Sequence, residues 1–122
     1  MRMQSKSVFH PSATSAPEGL NDEFPFLACA ITDHVLGEDW HRRTIDPCTK
    51  LLATVAMFAA AGDRTRLKIH AGHALNAGVG QNSLKEIVYL SAVYCGFARA
   101  IDAAEAISEV LAERWEAGQP IN

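Results

Sequence analysis

A chain of 122 residues, 48% hydrophobic and 20% charged, has room for one core and the composition of a folded protein. Lys plus Arg number 11 against 14 Asp plus Glu, a formal net charge of -3, so no basic field exists to hold phosphate backbones and nucleic acid is excluded as an expected partner. The longest weakly polar run, Leu51 to Gly62, is 12 residues, too short to span a bilayer, and no apolar stretch of a secretory signal follows Arg2 and Lys6. These features predict a cytoplasmic protein with no membrane partner.

Residues 1–21 combine Ser, Pro, Ala, Thr and Gly without an apolar period and read as a flexible or draped arm, leaving 22–122 as the folded domain. Phe24, Leu27, Ile31 and Val35 recur at helical spacing, predicting a first helix that ends near Leu36 with Gly37 as its stop. Glu38 to Ile45 reads as a loop. Asp46-Pro47 then opens a helix that Gly62 closes; Asp63 caps the next, from Arg64 to Ala77, which ends at Gly78. The two make a central helical hairpin. A further helix from Asn82 to Tyr94 carries Leu84, Ile87, Val88 and Ser91 on one face. The last, from Ala98 to Ala117, places Ile101, Ala104, Ile107, Leu111 and Trp115 on one side and Asp102, Glu105, Glu109 and Glu113 toward water. With no alternating β pattern and short connections, the fold class is all-α.

Small residues fill these helices: Ala53, Ala56, Ala59, Ala60 and Ala61, then Ala71, Gly72, Ala74 and Ala77. At roughly 25 cal/mol per Å² such a core is thin for a monomer, which predicts a homo-oligomer. Cys29, Cys48 and Cys95 are an odd number at wide spacing, fitting neither a disulfide framework nor a zinc site, and are expected to be reduced and buried.

The segment Ile69-His70-Ala71-Gly72-His73 sets two imidazoles in a helix of small residues. At about 100° per residue His70 falls on the arc of Leu67, Ala71 and Ala74, toward the core, and His73 falls further round toward Ile69. An imidazole titrates near 6.5 and is a natural acid or base, although a core histidine bonded to a carbonyl is the plainer reading. No HExxH or Glu-x-x-His pattern accompanies them, so no metal is expected. Glu86 is a second candidate for proton transfer, in competition with a helix-capping role in Ser83-x-x-Glu86. Glu38, Trp40 and Arg42 lie in a loop able to wall a pocket for an anionic organic molecule, with Arg42 or Arg43 as carboxylate clamp. Arg64, Arg66 and Lys68 read as a solvated or interface face, and Tyr89, Tyr94 and Phe97 as core.

Three blocks resemble the carboxymuconolactone decarboxylase family, the alkylhydroperoxidase-D-like all-α superfamily. They are Gly37-Glu38-x-Trp40 before the Asp46 helix start, Leu67-x-Ile69-His70 through Asn76-x-Gly78-Val79, and Glu86-Ile87 through Ala92-Val93-Tyr94-Cys95-Gly96-Phe97-x-x-Ala100. The resemblance implies a helical bundle assembled as a homotrimer or homohexamer, with a small-molecule substrate bound near subunit contacts and no organic cofactor. Its peroxidase members use CxxC and a following histidine, where this chain has Leu67-x-x-His70. The decarboxylase branch carries over His70 and Glu86 as proton-transfer groups. That branch commonly has an arginine where this chain has Gly72, and His73 is additional. The expected function is therefore a cofactor-free decarboxylase or isomerase. His70 is its acid or base, Glu86 its partner and His73 a second donor, with Glu38, Trp40, Arg42 and Tyr94 around the substrate. A non-catalytic oligomeric scaffold is the alternative from another class, and a thiol peroxidase through Cys95 or Cys48 the weaker one.

Overall fold

Proline and glycine punctuate the chain where its helices start and stop. The computed structural model describes residues 19–33, 41–42 and 44–122, which divide between two units, Met1–Pro47 and Cys48–Asn122. In the first, α1 (Leu20–Glu23) and α2 (Pro25–Ala30) flank Phe24, whose non-helical φ of -134° and ψ of 66° reflect the exclusion of α conformation before proline. The helix expected to begin at Phe24 is thus preceded by a separate helical turn, and a wider π-type turn follows at 31–33. The expected stop at Leu36 and Gly37, and most of the N-terminal arm, lie outside the described residues.

The second unit contains α3 (Pro47–Ala61), α4 (Arg64–Asn76), α5 (Gln81–Cys95) and α6 (Phe97–Glu116). No strand occurs among the described residues, and none of their helices is long and apolar enough to cross a membrane. The all-α expectation holds: α3 and α4 run antiparallel, with Cys48 Sγ 3.5 Å from Ala77 O, and α6 packs against both α4 and α5. Two backbone bonds close α3 in a Schellman arrangement, from Gly62 N–H to Ala59 O (3.2 Å) and from Asp63 N–H to Phe58 O (3.0 Å). Gly62 has φ +74°, a left-handed conformation in which a Cβ would also collide with the Arg99 guanidinium. Asp63 Oδ1 immediately accepts from Arg66 N–H (3.0 Å), capping α4.

Leu51, Val55 and Ala59 of α3, Leu67, Ala71, Ala74 and Leu75 of α4, and Leu84 and Ile87 of α5 form much of the core. The buried stripe of α6 differs from the expected one: it runs through Ala100, Ala103, Ala106, Ile107 and Val110 to Arg114, while Ile101 and Trp115 are exposed. Alanines allow α6 to pack closely, so the buried face follows the small residues and leaves bulkier ones at its margin. Arg114 is satisfied in this stripe by Asn76 Oδ1 (2.9 Å) and Pro120 O (3.0 Å).

The α6 carboxylates expected toward water are exposed, and three of them also pair with α4. Arg64 reaches Glu105 (2.9 Å) and Glu109 (2.8 Å), and Lys68 reaches Glu109 (3.0 Å) and Glu113 (3.2 Å). Partners advance together along both helices, so α4 and α6 run parallel. These ion pairs hold the Glu109 carboxyl below its ordinary range, chiefly through Lys68, and the Lys68 ammonium above its own, chiefly through Glu109. All are at the surface and fix register more than they add stability.

Candidate active site

Helix α4 is flanked on two sides, by α6 along Arg64 and Lys68 and by α3 along the flank carrying His70 and His73. His70, expected toward the core, is half-buried, while His73 has only 7% of its surface exposed and is the deeper of the two.

Three contacts fix the His70 ring. Its Nδ1 lies 2.9 Å from Arg66 O, one turn back on the same helix; a carbonyl only accepts, so Nδ1 carries the proton. In the neutral ring the electron pair then resides on Nε2. Phe58 of α3 lies against His70 with ring centroids 5.0 Å apart and planes inclined by 40°. The His73 ring meets it edge-on at 5.3 Å and 73°. Burial, and secondarily the neighbouring His70, push the His73 imidazole down to about 4, so it is neutral at neutral pH. Asp63, at the start of the helix, has its carboxyl held below the usual range, first by the Arg66 backbone N–H.

Glu86 lies in the second turn of α5. Helix α5 starts at Gln81 with Gly80 as N-cap and no side-chain cap, so Ser83 is already inside the helix and the expected capping box does not form. Glu86 is exposed and makes no hydrogen bond or ion pair among the described residues. Tyr94 is 82% exposed near the end of α5, and Tyr89 and Phe97 are exposed as well, against the expectation of core positions. Arg42 is exposed in the first unit, and Glu38 and Trp40 lie outside the described residues. Cys29 and Cys48 are exposed and Cys95 half-buried, so burial of all three thiols is not found. Cys29 Sγ donates to Asp33 Oδ2 one turn on (3.1 Å), and Cys48 Sγ donates across the hairpin to Ala77 O (3.5 Å).

A recess of about 340 Å³ opens on the other flank of α4, lined by Lys68, Ile69, Gly72, Val110, Glu113, Arg114 and Gln119. Its charged groups are already engaged with one another or with the backbone, and neither histidine lines it. Among the described residues no group of three or more His, Cys, Asp or Glu is placed to hold a metal ion. Phe58 is the site neighbour that sequence reasoning missed; its signal is its position one turn before the closing Gly62.

His73 gives the site a pH signature. Its folded value of about 4 lies below the ordinary 6.5, so between these limits the unfolded chain binds a proton that the folded chain refuses. Stability is full above about pH 6.5 and falls as the pH drops toward 4, by roughly 3 kcal/mol for this group. Urea unfolding across this window should show that extra loss in the parent and not in His73→Gln; equal slopes would contradict the assignment.

The family model for the carboxymuconolactone decarboxylase family matches residues 26–109. A curated relative, the 4-carboxymuconolactone decarboxylase of Acinetobacter baylyi (strain ATCC 33305 / BD413 / ADP1), is 29% identical over 105 residues, covering 86% of this chain and 78% of that protein. The matched span takes in the whole α3–α4 hairpin, both histidines, α5 and most of α6, and the chain belongs to the carboxymuconolactone decarboxylase family.

Proposed function

We propose that this chain is a cofactor-independent lyase of the decarboxylase type, or an isomerase, acting by proton transfer on a small anionic carbonyl or lactone compound. The observation that supports the reading is the His70 Nδ1–H bond to Arg66 O, which leaves Nε2 as the nitrogen we propose for proton exchange. In a decarboxylation the C–C bond to the carboxylate breaks, CO2 leaves, and the electron pair passes to an adjacent carbonyl as an enolate. Protonated His70 stabilises that charge, donates its Nε2 proton to carbon and returns to the neutral tautomer. In an isomerisation the neutral Nε2 takes a proton from one carbon and returns it to another. His73, neutral in its buried setting, acts as a hydrogen-bond donor and not as a source of charge. Glu86 and Tyr94, both on α5, are the further residues proposed to serve this chemistry. The relative's substrate, a carboxylated muconolactone by its name, is the first compound to test.

A non-catalytic binding scaffold is the second reading, favoured by the exposed Glu86 without a bonded partner and by Gly72 where the family's decarboxylases commonly hold arginine. The readings separate on a panel of carboxylated lactones and β-keto acids, followed by binding and by CO2 release. Catalysis predicts product, and a loss of about 10²- to 10⁴-fold in turnover for His70→Ala. Unchanged turnover in that variant, or binding across the panel without product, would overturn the first reading.

Self-association is part of the proposal. Leu90, Val93 and Tyr94 at the end of α5 and Phe97 and Ile101 at the start of α6 expose large apolar side chains on either side of the Gly96 corner. Exposed apolar side chains gathered at one corner are the kind of surface that marks a protein–protein contact. With a core dependent on alanine, a second copy of the chain is the occupant this face fits. Sedimentation should find an oligomer that Phe97→Asp disperses into folded monomers; a parent chain that stays monomeric at micromolar concentration would contradict this.

A further inference from the structure

We propose that Phe58 is a positioning residue for His70, holding the imidazole face so that the ring keeps one tautomer and one orientation. The inference rests on the assignment of proton exchange to His70 but is tested without substrate.

The bond from His70 Nδ1 to Arg66 O does not by itself immobilise the ring, because the terminal torsion of histidine is broad and nearly two-fold. A half-turn of the ring would exchange the bonded nitrogen for a carbon and bring Nε2 to the inner side. Two aromatic neighbours oppose that motion from different directions. Phe58 lies against the ring at 5.0 Å with its plane tilted by 40°, and His73 abuts with its plane at 73° and centroid at 5.3 Å. His73 shares α4 with His70, so it moves with that helix and fixes the ring only relative to it. Phe58 belongs to α3 and ties the ring to the hairpin. Contacts of this kind bias a conformational equilibrium by roughly 2- to 12-fold, enough to decide which of two comparable ring states is populated.

The placement of Phe58 is built into the turn. Its carbonyl accepts the Asp63 N–H bond that closes α3, and Asp63 caps α4. The same few residues therefore set where the Phe58 ring stands and where α4, with His70 two turns into it, begins. Phe58 is half-buried, so its ring is not needed merely to fill the deepest core, which Leu51 and Val55 occupy at full burial.

Nitrogen-15 NMR of the histidine rings in the ligand-free protein tests the proposal. The parent should show His70 as a single Nδ1–H tautomer with sharp signals. Phe58→Leu, which keeps apolar bulk, should give averaged or doubled His70 signals, with the minor state rising by roughly 2- to 12-fold, and Phe58→Trp should restore one state. Melting temperatures of all three establish that folded proteins are compared. If Phe58→Leu proves unstable, Phe58→Met supplies the same loss of the aromatic face. Retention of a single, sharp Nδ1–H state in a folded variant without an aromatic ring would overturn the proposal. That outcome would leave the effect of His70→Ala on turnover untouched, and an inactive chain would leave the NMR result untouched.

Discussion

The left-handed turn at Gly62 is the constraint on which the rest of the second unit depends. One residue with positive φ lets α3 end in two backbone bonds, and the next residue caps α4 with its carboxylate. Helix end and helix start thus share three consecutive residues, so the two helices cannot slide past one another without breaking a terminus. A left-handed L-residue costs roughly 1–2 kcal/mol, and here the Arg99 guanidinium, which donates to Ala61 O at 2.8 Å, also occupies the space a Cβ would need. The turn thereby connects backbone chemistry to the placement of Phe58 against His70.

The histidine pair follows from that geometry. Packing α3 against one flank of α4 and α6 against the other buries more of the helix than its apolar residues alone would cover. His73 lies inside this arc and loses its charge at neutral pH, whereas His70 lies at the edge, half-open, with its proton directed to a helix carbonyl. Two identical side chains three residues apart are given different surroundings: one is buried and neutral, and the other is half-buried with its Nδ1 proton bonded to a carbonyl.

Much of this architecture was legible in the residues. Gly62, Asp63 and Gly78 marked the hairpin within a residue of its ends, because capping is local chemistry that a sequence states directly. The pairing of faces was not local. Of the α6 stripe that hydrophobicity predicts, Ile101, Ala104, Ile107, Leu111 and Trp115, only Ile107 is buried, because close packing selects Ala100, Ala103 and Ala106 beside it. Glu105, Glu109 and Glu113 looked solvated because Arg64 and Lys68 are some forty residues away in sequence. The capping box at Ser83 failed for a similar reason: the helix starts at Gln81, so the pattern falls in its interior. For the site, the histidines stood out as polar groups among alanines, but Phe58 was one apolar residue among many, and only the fold brings it to His70. Tyr94 and Phe97 resembled core residues and are exposed, which a single chain's sequence does not distinguish from burial against another copy.

Membership of the carboxymuconolactone decarboxylase family and a hairpin that orients one imidazole together place the proposed chemistry at His70. The most direct test is chemical rescue. In a His70→Ala protein given millimolar imidazole and a compound the parent turns over, the account predicts that added imidazole restores turnover in proportion to its neutral or protonated fraction. Full turnover by the variant without imidazole would contradict the account.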